Sequence, residues 1–192
     1  MPSPVLVDDD ADRGLVERCR QGDRQAYTEL VVRYQRPVYN AAWWVLKSAD
    51  DAADVAQETF AKVAERLDDY DPRHRFFSWI YRIAVNEAID HQRRRVREEP
   101  LDDDVDVPDI DRRGPEQQAS DAQTVRLLER ALVGLSAQDR AVITMRHYGE
   151  LSYREIADAL DVDEKTVKSR LHDARGRLRA RLADLEPGSA RR

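Results

Sequence analysis

The sequence has few of the residues that mark a secreted, membrane or metal-binding protein. Its 192 residues contain one cysteine, Cys19, so no internal disulfide can form. No apolar run approaches the roughly 20 residues that span a bilayer, and no secretory leader pattern is present. The four histidines are scattered, without a cysteine or histidine partner at zinc spacing. We therefore expect a cytoplasmic protein that does not insert into a membrane and uses neither a metal nor a cofactor.

Glycine is scarce as well, with only seven residues, whereas 36% of the residues are charged. Apolar residues recur at helical rather than strand spacing, which predicts an all-helical protein. A first block runs from about residue 11 to 97 and is interrupted by QGD at 21–23. Pro37 predicts a kink or a restart of the second helix. Cys19 lies between apolar positions of the first helix, where we interpret it as a small buried hydrophobic residue.

Two further helices complete the first block. Ser48, in an S-x-x-D pattern, predicts the start of a third helix, and Pro72 indicates a loop at about 69–75. A fourth helix is predicted over 76–95, with aromatic residues at its start and arginines towards its end. This combination suits single-stranded nucleic acid, because bases stack on rings while arginines follow the backbone. The alternative for each ring is a place in the core.

The segment PLDDDVDVPDIDRRGP, at residues 100–115, differs sharply from both of its neighbours. It has six aspartates and three prolines but too few apolar residues to fold alone, so we interpret it as a flexible acidic linker. A second block follows, with helices predicted at about 121–134, 137–147, 153–160 and 164–184. The predicted organisation is an acidic tail at 1–12, a domain at 13–97, the linker at 98–119, a second domain at 120–186 and a tail at 187–192.

The last two helices of the second block have the pattern of a helix-turn-helix. Ile156 and Ala157 lie on the inner face of the first helix, and Val167 and Leu171 on that of the second. The second helix of such a motif lies in the major groove of duplex DNA. Its outer face would carry six residues able to contact bases or phosphates, namely Lys165, Thr166, Lys168, Ser169, His172 and Arg175. The alternatives are a solvated surface helix or a helix pair that binds protein.

Three motifs together resemble one protein family. They are DDAADVAQETF at 50–60, FFSWIYRIAVNEAIDHQRRR at 76–95 and LSYREIADALDVDEKTVKSRLHDAR at 151–175. In this order and at this separation they resemble the bacterial sigma factors of the extracytoplasmic-function group, also called group 4. The resemblance implies an alternative sigma factor, with no catalytic residues, that brings core RNA polymerase to promoters. Residues 13–97 would be sigma region 2, which recognises and melts the −10 element, and residues 120–186 sigma region 4, which recognises the −35 element.

The resemblance also implies roles for individual residues. The β′ clamp helices of the polymerase would bind Asp51, Asp54, Gln57 and Glu58. The −10 DNA would meet Arg73, Arg75, Phe76, Asn86, Asp90, Arg93, Arg94 and Arg95. The −35 DNA would meet the six outer residues of the last helix named above. The polymerase β flap and an anti-sigma factor are further partners that the resemblance implies, and the protein would join the bacterial nucleoid when bound to polymerase.

Three residues depart from the family pattern. Ala53 replaces a glutamate of the acidic motif, Asp161 replaces the usual glycine of the turn, and Asp173 stands where some members have a phosphate-binding arginine. Aspartate enters the left-handed backbone region more readily than most residues, so the turn at Asp161 is expected to form. Ala53 changes the expected strength of the β′ contact. Asp173 is expected to weaken −35 binding or to shift its sequence preference.

Two other functions compete with the sigma-factor interpretation. A free-standing helix-turn-helix regulator would bind duplex DNA without polymerase, normally as a dimer, but no dimerisation helix is evident. An enzyme that cleaves phosphodiesters would need metal ligands, for which the linker offers Asp102, Asp103, Asp104 and Asp106. Those aspartates lie in a segment without a predicted scaffold, and catalytic ligands need a fixed geometry.

Overall fold

The structure, a computed structural model, describes residues 9–98 and 127–185. In these two ranges the backbone is helical, without a strand. The first range contains α1 (Asp9–Arg20), α2 (Arg24–Leu46), α3 (Ala49–Arg66), a short 3-10 helix (Leu67–Asp69) and α4 (Phe76–Glu98). The second contains α5, which is described over 127–133, and then α6 (Ala137–His147), α7 (Tyr153–Leu160) and α8 (Glu164–Leu185). Apart from residue 98, the predicted linker lies outside the described residues, as do most of the two tails.

Helix α2 is the centre of the first domain and packs against α1, α3, α4 and α6. It begins after Asp23, whose carboxylate accepts hydrogen bonds from the backbone N–H groups of Gln25 and Ala26. It continues through Pro37 to Leu46, so the restart predicted at that proline does not occur. A proline removes one backbone donor from a helix. The helix nevertheless continues, and buried residues lie on both sides of Pro37, at Tyr34 and Val38.

The predicted helix starts are confirmed by their capping hydrogen bonds. The Ser48 hydroxyl accepts from the backbone N–H of Asp51 at 3.3 Å, which starts α3. Ser136 caps α6 in the same way. Ser152 forms a capping box with Glu155 at the start of α7, in which each side chain accepts from the other's backbone N–H. The beginnings of these helices therefore follow from local sequence alone.

Aromatic side chains fill the middle of the first domain. The ring centroids of Tyr34 and Phe76 are 5.4 Å apart, and those of Phe76 and Trp79 are 5.6 Å apart. The Tyr34 hydroxyl donates to Asp12, a fully buried carboxylate on α1. This bond attaches α1 to α2 inside the core. Cys19, predicted to be buried, is only half-buried at the end of α1.

The two domains are in direct contact, which the sequence did not indicate. Helix α6 packs against α2 and α4, and α7 packs against α4. The rings of Trp44 and Tyr148 stack, with centroids 5.6 Å apart and planes at 22°. The Arg140 side chain donates from Nε to the Val45 carbonyl at 2.8 Å and also to the Leu135 carbonyl. One guanidinium thus joins the end of α2 to the turn that follows α5.

Lys47 lies in this contact between the domains and is 5% exposed. Its amine lies 3.7 Å from the ring centroid of Trp43 and 3.9 Å from that of Trp44. Among the described residues, Nζ has no hydrogen-bond partner. The pKa of Lys47 is lowered to about 6, mainly by burial of the amine and also by the charge of Arg140, while Glu129 opposes the shift. The indole faces favour a charged amine, but they accept no ordinary hydrogen bond, so we take the burial of the amine as the stronger effect.

We predict from this lysine a pH dependence of folding stability. Between pH 6 and the usual pKa of 10.5, the unfolded chain carries a proton on Lys47 that the folded chain lacks. The free energy of unfolding should therefore rise with pH in this range, by up to about 1.4 kcal/mol per unit. In Lys47→Met that contribution should vanish, and the variant should be more stable than wild type at pH 7. Urea denaturation at pH 6, 7, 8 and 9 measures both effects.

The matched control is Lys165→Met, which removes an exposed lysine of α8. This variant should keep the pH dependence of the wild-type protein. A Lys47→Met variant whose stability changes with pH as steeply as that of wild type would show that the lysine remains charged when buried.

Candidate polymerase and nucleic-acid interfaces

Helices α7 and α8 form the predicted helix-turn-helix, and their facing sides are closely packed. Ile156, Ala157, Val167 and Leu171 are each at most 4% exposed. The turn between the helices is made at Asp161, which has the left-handed conformation (φ 50°, ψ 53°) and donates its backbone N–H to the Ala157 carbonyl. The prediction that aspartate can replace glycine in this turn is confirmed. The outer face of α8 is thereby fixed relative to the domain.

The outer face of α8 presents most of the residues predicted to contact duplex DNA. Five of the six are exposed to solvent, namely Lys165, Lys168, Ser169, His172 and Arg175. Thr166 is half-buried, and its backbone N–H donates to the Asp163 carboxylate at 2.6 Å, which caps the helix. The Lys168 amine lies 4.0 Å from Glu164, one turn earlier. The basic groups therefore occupy the surface that the buried face of the motif leaves open.

Arg175 is oriented by a histidine that sequence reasoning did not identify. One of its guanidinium nitrogens lies 3.0 Å from Nε2 of His147, at the end of α6. Burial lowers the pKa of His147, and the charges of Arg175 and Arg146 lower it further. The ring is therefore neutral at pH 7 and can accept a hydrogen bond from Arg175. Elsewhere on α8, His172 lies 3.3 Å from Asp173, so this departure from the family pattern contacts a residue of the predicted reading face.

The remaining arginines of α8 do not all serve the outer face. Arg177 makes two hydrogen bonds to the Asp139 carboxylate on α6, at 2.9 and 2.7 Å. Arg181 lies over Gly134, where a Cβ atom would come within 1.9 Å of its guanidinium. Both residues hold α8 against the preceding helices. The basic run at the end of the chain thus divides into residues that pack the domain and residues that face solvent.

The loop before α4 presents two of the arginines predicted to contact −10 DNA. Arg73 is exposed and pairs with Asp71, and this contact lowers the pKa of Asp71 to about 2. Arg75 lies 3.6 Å from Asp9 on α1 and 2.7 Å from Glu150 in the turn before α7. Arg75 is therefore shared between the two domains.

Phe76, also predicted to contact −10 DNA, occupies a different environment from the arginines. It is 1% exposed and packs against Tyr34, Tyr70 and Trp79 in the aromatic core. A fully buried ring has no face on which a base could stack. The structure therefore corrects the prediction for Phe76 and supports the alternative that this ring belongs to the core.

Further along α4, Asn86 is half-buried and Asp90 is exposed. The three arginines that follow each make an ion pair. Arg93 pairs with Asp90 on the same helix at 3.3 Å. Arg94 lies 3.5 Å from Glu58, and Arg95 lies 2.6 Å from Asp51, both on α3. Two of the three arginines therefore contact residues predicted to bind polymerase.

The four residues predicted to bind polymerase lie along α3 but differ in their surroundings. Asp54 and Gln57 are exposed, and their side chains make no hydrogen bond or ion pair within the described residues. Asp51 is half-buried and accepts from Arg95, while His91 Nε2 lies 3.2 Å from its other oxygen. Asp51, His91 and Arg95 line an open polar cleft between the start of α3 and the end of α4. Sequence reasoning missed His91, because helical spacing does not show which residue of α3 it faces.

Two other kinds of site were considered, a metal centre and a membrane-spanning helix. In ranges 9–98 and 127–185, no three His, Cys, Asp or Glu side chains are grouped so that they could hold a metal ion. No helix in those ranges is long and apolar enough to cross a membrane. The four linker aspartates considered as metal ligands, at 102–104 and 106, lie outside the described residues.

The fold and its surfaces define a helical protein with a DNA-binding helix-turn-helix domain. Comparison with known families narrows this class. Sigma-70 region 2 matches residues 30–98, and Sigma-70 region 4 matches residues 126–178. The chain belongs to the extracytoplasmic-function family of RNA polymerase sigma factors. It directs RNA polymerase to promoters, and a sigma factor is a non-catalytic subunit of that enzyme.

Known relatives match the chain over almost its whole length. The ECF RNA polymerase sigma-E factor of Escherichia coli K12 is 35% identical, over 85% of this chain and 90% of that protein. The ECF RNA polymerase sigma factor SigW of Bacillus subtilis is 29% identical, over 88% of this chain and 96% of that protein. Both domains therefore contribute to the likeness.

Solved structures agree with the fold. CnrH, determined in complex with the cytosolic domain of CnrY, matches with a TM-score of 0.61 and 27% identity, over 92% of this chain and 99% of that one. The sigma factor RpoE of Bartonella quintana, in complex with the anti-sigma factor NepR, matches with a TM-score of 0.64 and 22% identity. That match covers 83% of this chain and 98% of the other. The latter similarity concerns the fold alone.

The division of basic residues on α8 yields a prediction. Lys168→Ala should change which −35 sequence the polymerase-bound protein prefers, because a good side-chain-to-base contact contributes about 1–3 kcal/mol of discrimination. Arg177→Ala should leave that preference unchanged but lower the free energy of unfolding, since it removes both hydrogen bonds to the Asp139 carboxylate. Selection from duplexes randomised in the −35 element, together with urea denaturation, separates the two effects. An equal loss on every sequence would make Lys168 a phosphate contact.

Proposed function

We propose that this sigma factor binds core polymerase through the acidic face of α3 and contacts the promoter through two basic surfaces. The observation that carries the proposal is the segregation of exposed charge. Acidic and amide side chains lie together on α3, at Asp51, Asp54, Gln57 and Glu58, where a basic partner helix such as the β′ clamp helices could dock. Basic side chains lie on α8 and around the two ends of α4.

For the −10 element, the proposal assigns the loop before α4 and the outer side of that helix. The DNA-contacting residues are Arg73, Arg75, Asn86, Asp90, Arg93, Arg94 and Arg95. Phe76 is left out because its ring is inside the core, where it supports the loop from below. DNA that binds Arg75 must displace Glu150 of the second domain, which now lies 2.7 Å from it. Engagement of the −10 DNA therefore affects the contact between the domains.

For the −35 element, the proposal assigns the exposed face of α8. Lys165, Lys168, Ser169, His172 and Arg175 reach the major groove or its flanking phosphates, and the Thr166 backbone caps the helix that carries them. The arrangement supports groove binding because the opposite face of α8 is buried against α7, which leaves one side of the helix for DNA. His147 fixes the direction of Arg175 from behind.

The same proposal includes the remaining partners. The second domain would contact the polymerase β flap, and an anti-sigma factor would regulate the protein. The structure of RpoE with NepR supports such regulation by showing that a protein of this fold binds an anti-sigma factor. The protein would act in the bacterial cytoplasm, where polymerase and promoters are found. The free-standing regulator remains the competing function, and it differs in needing no polymerase for selective DNA binding.

The experiment compares two charge reversals on the same helix. Asp54→Lys should reduce run-off transcription by core polymerase at least tenfold, because it places a positive charge where a basic helix docks. Glu65→Lys, at the other end of α3, should leave transcription unchanged, since Glu65 is exposed and outside the proposed surface. Circular dichroism should show equal helix content in both variants.

A binding measurement distinguishes the competing function. Without polymerase, the wild-type protein should bind promoter duplex within about tenfold of random DNA, because its two DNA surfaces act together only after docking. Core polymerase should restore selectivity, and Asp54→Lys should prevent that restoration. If the free protein already prefers its promoter by a thousandfold, a free-standing regulator is the better interpretation.

A further inference from the structure

The contact between the two domains buries a lysine amine that makes no hydrogen bond within the described residues. Lys47 caps the end of α2 and is 5% exposed. Its Nζ lies between two indoles, 3.7 Å from the ring centroid of Trp43 and 3.9 Å from that of Trp44. An ammonium group has three N–H donors, all of which water satisfies in an exposed lysine. The indole faces attract a cation, but they do not replace those three hydrogen bonds.

Charged groups of the second domain act on this amine from two helices. Arg140, on α6, is 8% exposed and is held beside the end of α2 by its bonds to backbone carbonyls. Glu129, on α5, is 4% exposed and opposes the effect of Arg140 on Lys47. The phenols of Tyr81 and Tyr148 lie in the same contact, and burial raises the pKa of both, so they stay neutral at pH 6–9. A proton on Lys47 therefore places a second buried cation close to Arg140.

We propose that Lys47 makes the contact between the domains sensitive to pH, so that uptake of one proton by its amine separates the domains and loss of that proton lets them close. In the closed form the amine is shielded from water and faces Arg140, which disfavours the ammonium form. In the separated form water reaches the amine, which then binds a proton as an exposed lysine does. Acid therefore favours the separated form over the closed form.

Proton linkage fixes the direction and the maximal size of this effect. The pKa of Lys47 is about 6 in the closed form, against 10.5 for an ordinary lysine. Between these two values the separated form carries a proton that the closed form lacks. Each unit of acidification should therefore raise the ratio of separated to closed molecules by up to about tenfold. Below pH 6 both forms carry the proton, and the ratio should level off.

Separation of the domains also changes the surroundings of Arg75. In the closed form its guanidinium lies 2.7 Å from Glu150, in the turn before α7. This ion pair crosses between the domains, so it is lost when they separate, whereas the contact with Asp9 of the same domain at 3.6 Å can remain. Arg75 then becomes more available to −10 DNA as the pH falls. Only this consequence rests on the proposed function, because the separation itself involves neither DNA nor polymerase.

The experiment counts closed and separated molecules of the full-length protein by single-molecule fluorescence energy transfer. Cys19→Ser removes the native thiol, and the dyes are attached to cysteines introduced by Glu65→Cys on α3 and Arg179→Cys on α8, both at exposed positions. The ratio of separated to closed molecules is measured at pH 9, 8, 7 and 6. It should rise at each step, by up to about tenfold per unit. Circular dichroism at each pH checks that the helices remain folded.

Two substitutions of the same lysine fix its charge in opposite ways. Lys47→Met has no charge to hydrate, so this variant should stay closed at every pH. Lys47→Arg keeps its charge throughout the range, so it should be mostly separated, again without pH dependence. Lys165→Met removes an exposed lysine and should respond to pH as wild type does. Glu129→Gln should also keep the response, since it removes a neighbouring charge but not the group that titrates.

Several outcomes would overturn the proposal. One is a wild-type ratio that does not change between pH 9 and pH 6, and another is an equal response in Lys47→Met. A response that is lost in Glu129→Gln but kept in Lys47→Met would assign the titration to the acid instead. A response confined to the step from pH 7 to pH 6 would indicate a histidine, because histidines titrate there. None of these results affects the proposed polymerase and DNA surfaces, since neither ligand is present.

Discussion

Packing around the last turn of α2 is the interaction on which both domains depend. Two adjacent indoles are buried there, and they contact each other at 5.0 Å between centroids. Trp44 also stacks on Tyr148 of the second domain, while the neighbouring Val45 carbonyl accepts from Arg140. Since α2 also packs against α1, α3 and α4, any change at this turn reaches the helices that carry the proposed polymerase and −10 surfaces. Burial of one lysine amine against the indoles is the unfavourable part of this arrangement.

Charge in this protein has two uses, which differ in the partners of the side chains. Arg140 donates to carbonyls of both domains and Arg177 donates to the Asp139 carboxylate on α6, so these two residues hold helices together. Lys165 and Lys168 face solvent and remain available to DNA. The formal net charge of −6 therefore does not oppose DNA binding locally, because exposed cations are grouped on α8 and around the two ends of α4. Overall negative charge also disfavours indiscriminate binding to DNA.

Features that depend on neighbours in the chain could be predicted, whereas features that depend on distant residues could not. The cap at Ser48, the capping box at Ser152 and the left-handed turn at Asp161 follow from a few adjacent residues, and the structure contains all three. Helical spacing also predicted which side of α8 is buried. Spacing gives the direction of a side chain but not its partner. It therefore could not show that Phe76 enters an aromatic core or that Arg140 reaches a carbonyl 95 positions away.

The arginines assigned to −10 DNA are already paired with carboxylates in the free protein. Arg75 contacts Asp9 and Glu150, and Arg94 and Arg95 contact acids of α3. Internal carboxylates thus occupy positions that DNA phosphates would take in a complex. An exposed pair of this kind stabilises the fold weakly, so its exchange for a phosphate costs little. The free protein can therefore keep these cations paired with its own carboxylates without making their transfer to DNA phosphates costly.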